Sequence, residues 1–288
     1  MAAPVRGQLS SLCDDIGLDA ALAVDRLAVC VADVGAWTSS SRLRLNSSKT
    51  QVMWLGHKNQ IDKISIRSVP VLSSTVSIVD SARDHGVVID SRLTMSDQVT
   101  SLCRASYYQL CQLRPVARSE ESAKILVQAF ISCHLDYCNA LLYGISDSVF
   151  KHLQSIQNAM ARFLTGASQR DHISPVLCSL HWLPVKQRVD YNLAALVYKS
   201  LQGQASSYLV DNCQLIADSG HPQLHSAHAS VLTVPRTNTR LGDRSFSVVG
   251  PRICNSLPAS LWQPDIEFGH FKRLLVLKAF LFGKTVAH

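Results

Sequence analysis

Three groups of side chains have types and spacings suited to chemistry. Cys13-Asp14-Asp15 contains an adjacent pair of aspartates, and paired carboxylates can hold two catalytic metal ions when a rigid turn between apolar strands presents them. Here the pair runs into Ile16-Gly17-Leu18 and then a helical pattern. Acidic residues are expected at a helix start, where they cap free N–H groups and oppose the dipole. His221, His225 and His228 share i, i+4, i+7 spacing, which could gather three zinc ligands on one helix face. Gly220 and Pro222 oppose a rigid helix there. Cys178-Ser-Leu-His181 is a metal-like pair without an obvious second pair. The expectation is no metal and no resident cofactor. The chain also has no Gly-rich phosphate loop, nucleophile elbow or zincin motif, so motifs alone argue for no enzyme.

The 288 residues carry a formal net charge of +7 and are 47% hydrophobic and 17% charged. That is enough apolar content for a buried core and excludes a disordered polyelectrolyte. The basic excess is local. Residues 1–40 hold Arg6 and Arg26 against Asp14, Asp15, Asp19, Asp25 and Asp33, whereas residues 41–118 hold eleven Lys or Arg against five Asp. Such a stretch suits a polyanionic partner, nucleic acid first, or else a solvated basic face without one. Met1 to Cys13 has no apolar stretch typical of a signal peptide. Leu274–Phe282 is interrupted by Lys278 and too short to span a bilayer. The nine cysteines are scattered through apolar segments, as expected of reduced core thiols in an intracellular, non-secreted protein of the nucleus or cytoplasm with no membrane partner.

Helical periodicity places Ala20, Val24, Leu27, Val31 and Val34 on one stripe, with Asp19 as N-cap and Gly35 loosening the end. Gln51–Leu55 reads as a strand. A strand pair follows around Val69–Val79 and Gly86–Asp90, with Asp80–His85 as its turn. Beyond Met95 the period is helical. One helix carries Val99, Leu102, Cys103, Leu110 and Leu113. A second carries Leu126, Val127, Phe130, Ile131, Leu135, Cys138 and Leu142. A third carries Val149, Leu153, Ile156, Met160 and Phe163, and a fourth Val189, Leu193, Leu196, Val197 and Leu201. Asp218–Ala229 reads as a linker, Val231–Val234 and Ser245–Val249 as short strands, and Phe271–Phe282 as a closing helix. The fold class is therefore α+β and mostly α-helical. Three segments follow: 1–95, with a helix and strand pair; 96–205, a helical bundle; and 206–288, a small C-terminal α/β region.

Several segments resemble a known family in its own order. Ser41-Arg-Leu-Arg-Leu-Asn-Ser-Ser-Lys-Thr-Gln-Val-Met-Trp-Leu-Gly56 is similar to the stretch that follows the catalytic palm motif in reverse transcriptases of non-LTR (LINE-type) retrotransposons. The likeness continues through Asp84-His-Gly-Val-Val-Ile-Asp90, Leu93-Thr-Met-Ser96, Cys133-His-Leu-Asp-Tyr-Cys-Asn139 and Leu141-Leu-Tyr-Gly144. It extends to Leu153-Gln-Ser-Ile-Gln-Asn-Ala159, His172-Ile-Ser-Pro-Val176 and Leu180-His-Trp-Leu-Pro-Val185. The last matches are Val234-Pro-Arg-Thr237, Gly250-Pro-Arg252 and Asn255-Ser-Leu-Pro258. The resemblance implies late palm, thumb and a downstream region. The Tyr-Ala-Asp-Asp turn that binds Mg2+ in that family has no counterpart in the sequence, and Asp14-Asp15 matches a non-catalytic acidic pair.

The resemblance further implies that Asn46, Lys49 and Thr50 lie near an incoming nucleotide, and that the hairpin around Val69–Asp90 stands where the primer grip does. It places thumb contacts to duplex phosphates on Arg92, Arg104, Arg114, Arg118, Lys124, Lys151 and Arg162. Two departures weaken this. The segment around Ala117-Arg-Ser-Glu-Glu121 is shorter than in relatives, and Pro222-Gln-Leu-His225 stands where relatives are Arg-rich. The expected function is a reverse-transcriptase fragment without polymerase activity of its own. It would bind RNA or DNA duplex weakly and nonspecifically, with the upstream polymerase part as a partner if the two are made as one chain. The alternative is a helical protein-interaction scaffold without a nucleic-acid role.

Overall fold

A computed structural model describes residues 20–115, 119–216, 231–258, 261 and 266–277. The chain forms two compact units divided between Gln98 and Val99.

The first unit is helix α1 (Ala20–Ser40) followed by short elements. The apolar stripe of α1 is half-buried, and the helix runs on through Gly35 instead of loosening there. Gly35 is buried because the tip of a hairpin lies on it: a Cβ at this position would stand 2.9 Å from Leu72 Cδ2. After a 3-10 turn at Ser47–Lys49 and one helical turn, α2 (Lys58–Ile61), come two antiparallel hairpins. The first pairs β1 (Ser68–Val71) with β2 (Ser74–Ser77), and the second pairs β3 (Ser81–Asp84) with β4 (Val87–Asp90). Alternation buries Val69, Val71 and Val76 on one face.

Three expectations are corrected here. Val69–Val79 is not one strand paired with Gly86–Asp90: it is itself folded into the β1–β2 hairpin, and β4 pairs with β3. Gln51–Leu55 is not a strand; only Val52 bridges, in parallel, to Ile78. Ser81–Asp84 is a strand rather than a turn. The turn is His85-Gly86, both at positive φ, which is the two-residue type I′ geometry that matches strand twist.

The second unit is helical. Its helices are α3 (Ser96–Leu113, which begins in the first unit), α4 (Glu120–Val127), α5 (Cys133–Asp136), α6 (Asp147–Thr165), α7 (Ile173–Ser179), α8 (Val185–Leu201), α9 (Ser207–Val210), α10 (Phe246–Ser256) and α11 (Phe268–Leu277). The amphipathic α6 buries Leu153, Ile156 and Met160 completely, each side chain contributing about 1.5–3 kcal/mol. It stops at Gly166, whose left-handed φ of +69° favours a residue without a Cβ. The central element is α8, which packs against α6, α10, α11 and the 3-10 turn Asn139–Leu142.

The single helix expected over Leu126–Leu142 is broken. A π-helical segment, Gln128–Ser132, joins α4 to α5, and Cys138 then turns left-handed at φ +52°. Ile131, within the π segment, and Leu135, in α5, are both buried. Ser245–Val249 is also not a strand. Phe246 begins α10, and Val231–Val234 reduces to one bridge between Leu215 and Leu232. The described part of 206–288 is therefore helical rather than α/β. It shares a core with α8, in which Val197, Cys213, Leu232 and Cys254 pack together. The 218–229 linker and the end of the closing helix beyond Leu277 lie outside the described residues.

Candidate nucleic-acid interface

In the first unit, Asn46, Lys49 and Thr50 come together on one 3-10 turn. Asn46 Oδ1 accepts from Ser48 N at 3.0 Å, and Asn46 O accepts from the amides of Lys49 and Thr50 and from Thr50 Oγ1. Asn46 thus caps the turn, which leaves the Lys49 side chain exposed. The Mg2+ that the resemblance implies is held through carboxylate oxygens. The Asn46–Thr50 turn offers only amide, hydroxyl and ammonium groups, so it does not fit that ion.

Arg92 is exposed beside a turn tied by Asp90. The Asp90 carboxylate accepts the backbone N–H groups of Arg92, Thr94 and Met95 and the Thr94 hydroxyl. These bonds hold Leu93 and Met95 at positive φ. The acidic residue is structural, and Arg92 contributes its amide to the knot while its guanidinium stays outside.

In the second unit the predicted thumb cations divide by what they already hold. Arg104, Arg114 and Lys151 are exposed, and no ion pair is found for them among the described residues. Lys124 pairs with Glu120 at 2.7 Å across one helical turn. Arg162 Nε donates to Ser168 O at 3.1 Å and its Nη2 to Asp171 O, pinning the loop after α6. Arg162 therefore also serves to hold that loop in place. Arg118, Cys13 to Asp15, and His221, His225 and His228 lie outside the described residues. Cys178 and His181 are exposed, and no three His, Cys, Asp or Glu side chains converge among the described residues. Cys111, Cys133, Cys138 and Cys178 are exposed, which corrects the expectation of core thiols at those four positions.

The quoted motifs meet across the bundle. Gln157 Nε2 donates to Leu183 O at 2.8 Å, and Gln154 Oε1 accepts from Val185 N at 3.0 Å, so Leu153–Ala159 holds the start of α8. Asp136 pairs with Arg188, and Asn139 Oδ1 accepts from Asn192 Nδ2 at 2.9 Å. Burial pushes the Asp136 carboxyl up, partly offset by the Arg188 charge and hydrogen bond. Arg244 reaches back to the carbonyls of Tyr143 and Leu141. Asn255 caps both backbone groups of Leu232, and Asp243 accepts from Thr237 and Arg252. In this unit these residues act as joints between helices.

Two features were not anticipated from sequence. A groove of about 640 Å3 is lined by Lys124, Ile125, Ala129, Leu164, Leu180 and Trp182. It shares Gln128, His181 and Trp182 with a smaller, more polar pocket of about 330 Å3 that contains Asp136 and Arg188. The π segment forms part of its wall, and that irregularity has no sequence signature. The second feature is Tyr107 and Tyr108, exposed on α3 between Arg104 and Arg114; a helical projection of 99–113 would have exposed this pairing.

Among the described residues no helix is long and apolar enough to cross a membrane. Compared with known proteins, the chain matches no family model, no curated sequence and no solved structure.

Proposed function

We propose that these residues are the late palm, thumb and downstream part of a non-LTR retrotransposon reverse transcriptase, without polymerase activity of their own. They would bind RNA or DNA nonspecifically, inside the cell, through basic helix faces. The resemblance rests on the ordered motifs from Ser41 to Pro258. The observation that carries the binding role is the set of exposed cations Arg104, Arg114 and Lys151 in the helical unit, without carboxylate partners among the described residues.

The test is fluorescence anisotropy of the full chain with labelled RNA and DNA of unrelated sequences across a salt series. Three phosphate contacts give a slope of log affinity on log salt of about −2 for single strands and about −2.7 for duplex. Between 50 and 200 mM salt, affinity falls by roughly 20- to 40-fold on that slope. Sequence-specific or salt-insensitive binding refutes the reading, and metal-dependent nucleotide incorporation by the chain refutes its catalytic emptiness.

A protein-interaction scaffold is the second reading. It is favoured by the groove beside Ile125, which is 68% exposed, and by the exposed Phe130. That reading expects Ile125→Lys to abolish partner binding while nucleic-acid affinity is unchanged.

A further inference from the structure

The α3 helix separates its side chains cleanly around its axis. Val99, Ser106, Leu110 and Leu113 are buried. At 100° per residue, Arg104 and Tyr108 fall on the side opposite the buried stripe and Tyr107 on its flank, with Arg104 between the two rings, while Arg114 follows directly after the last helical residue, Leu113. Tyr107 is 43% and Tyr108 63% exposed. Two neighbouring aromatic rings in water forgo the burial that normally justifies such residues. From Arg104 to Arg114 the sequence has no acidic residue.

A neighbouring helix completes the surface. The hydroxyls of Tyr107 and Ser155 lie 3.1 Å apart in a hydrogen bond, which fixes the Tyr107 ring against α6. One turn before Ser155, on the same side of α6, Lys151 is exposed. Two rings and three cations therefore share one surface: Arg104 on α3, Arg114 just after it, and Lys151 on α6.

We propose that this surface is a stacking platform for unpaired bases of single-stranded nucleic acid, with Arg104, Arg114 and Lys151 holding the flanking phosphates. The inference rests on the nucleic-acid reading above and deepens it by naming the form that is bound. The rings need base faces that a duplex hides in its stack, whereas the cations serve either form. Ring-to-base stacking is tolerant of sequence, so the platform distinguishes paired from unpaired strands rather than one sequence from another.

The experiment measures anisotropy of the full chain at low salt with three labelled probes: a 12-nucleotide oligo(dT), the same backbone with abasic residues throughout, and a 12-base-pair duplex. The chain is expected to bind oligo(dT) more tightly than either other probe. Tyr108→Ala is expected to lower oligo(dT) affinity by about 5- to 150-fold and leave abasic binding unchanged, with Tyr108→Phe restoring it. Tyr108 is the more exposed ring, so its truncation tests the surface without emptying the core; Tyr107→Ala is the second variant. Equal binding of abasic and base-bearing strands overturns the platform alone, as does equal loss on both probes in Tyr108→Ala. Absence of binding to all three probes overturns both the platform and the nucleic-acid reading.

Discussion

Replacing Gln157 with leucine keeps the side-chain size but removes a buried amide from the joint between α6 and α8. Gln157 is 0% exposed. Its Nε2 donates to Leu183 O at 2.8 Å, and its Oε1 accepts from Gln154 Nε2 at 2.9 Å. The leucine leaves a carbonyl without its donor beside a residue that is itself buried, at a cost of about 1–3 kcal/mol. Part of this is offset by the apolar burial of leucine, so a net loss of about 1–2 kcal/mol is expected. Against a typical domain stability of about 5–15 kcal/mol that is a large fraction. Urea unfolding followed by far-ultraviolet circular dichroism should show the helical transition moved down by roughly 0.5–1 M.

Gln154 also holds α8, because its Oε1 accepts the amide of Val185, a group at the helix start with no partner inside the helix. The double variant Gln154→Leu/Gln157→Leu should therefore lose less than the sum of the two single losses, with a coupling of about 0.5–3 kcal/mol. A Gln157→Leu chain as stable as the original, or strictly additive losses, would refute the two-glutamine clamp.

Gly144→Ala forces a Cβ to within 2.9 Å of Arg244 Cγ at a φ of +69°. The left-handed backbone alone costs about 1–2 kcal/mol, and hydrogen exchange should speed up around 141–144 as Arg244 loses its carbonyls. The hydrogen bond from Thr237, followed by that from Arg252, holds the Asp243 carboxyl below the usual range. The unfolded chain then binds the proton more tightly. This contribution is full above the ordinary aspartate range and is lost as pH falls through the folded value. The stability gap between the chain and Asp243→Asn should narrow over that window; a constant gap sinks the assignment. Burial raises Cys213 and pushes Cys254 up to about 12, so both thiols should resist iodoacetamide at pH 8 while Cys111, Cys133, Cys138 and Cys178 label quickly. Labelling of all these positions at one rate, read by peptide mass spectrometry, would show that the core around Leu232 is open.

The sequence by itself determined α3, α6 and α8, because their apolar residues recur at helical spacing and Gly166 and Pro184 mark their boundaries locally. It also determined that the chain is mostly helical and where its cations lie. Only the tertiary structure decided that the 126–142 stripe breaks into a π segment and a left-handed Cys138, a break that accompanies the pairing of Asn139 with Asn192 on α8. It moved Phe246–Val249 from strand to helix because those residues pack on α8, and short apolar runs carry no period long enough to distinguish the two. Lys151 and Arg162 are both basic residues on α6. Among the described residues Lys151 has no ion pair, whereas Arg162 donates to the carbonyls of 168 and 171, a difference set by a loop that folds back in space. The Leu153–Ala159 and Leu180–Val185 motifs are legible as strings, but their joint function is a pair of hydrogen bonds spanning 26 and 31 residues. Local periodicity reports which way a side chain faces, and only the packed chain supplies what it faces.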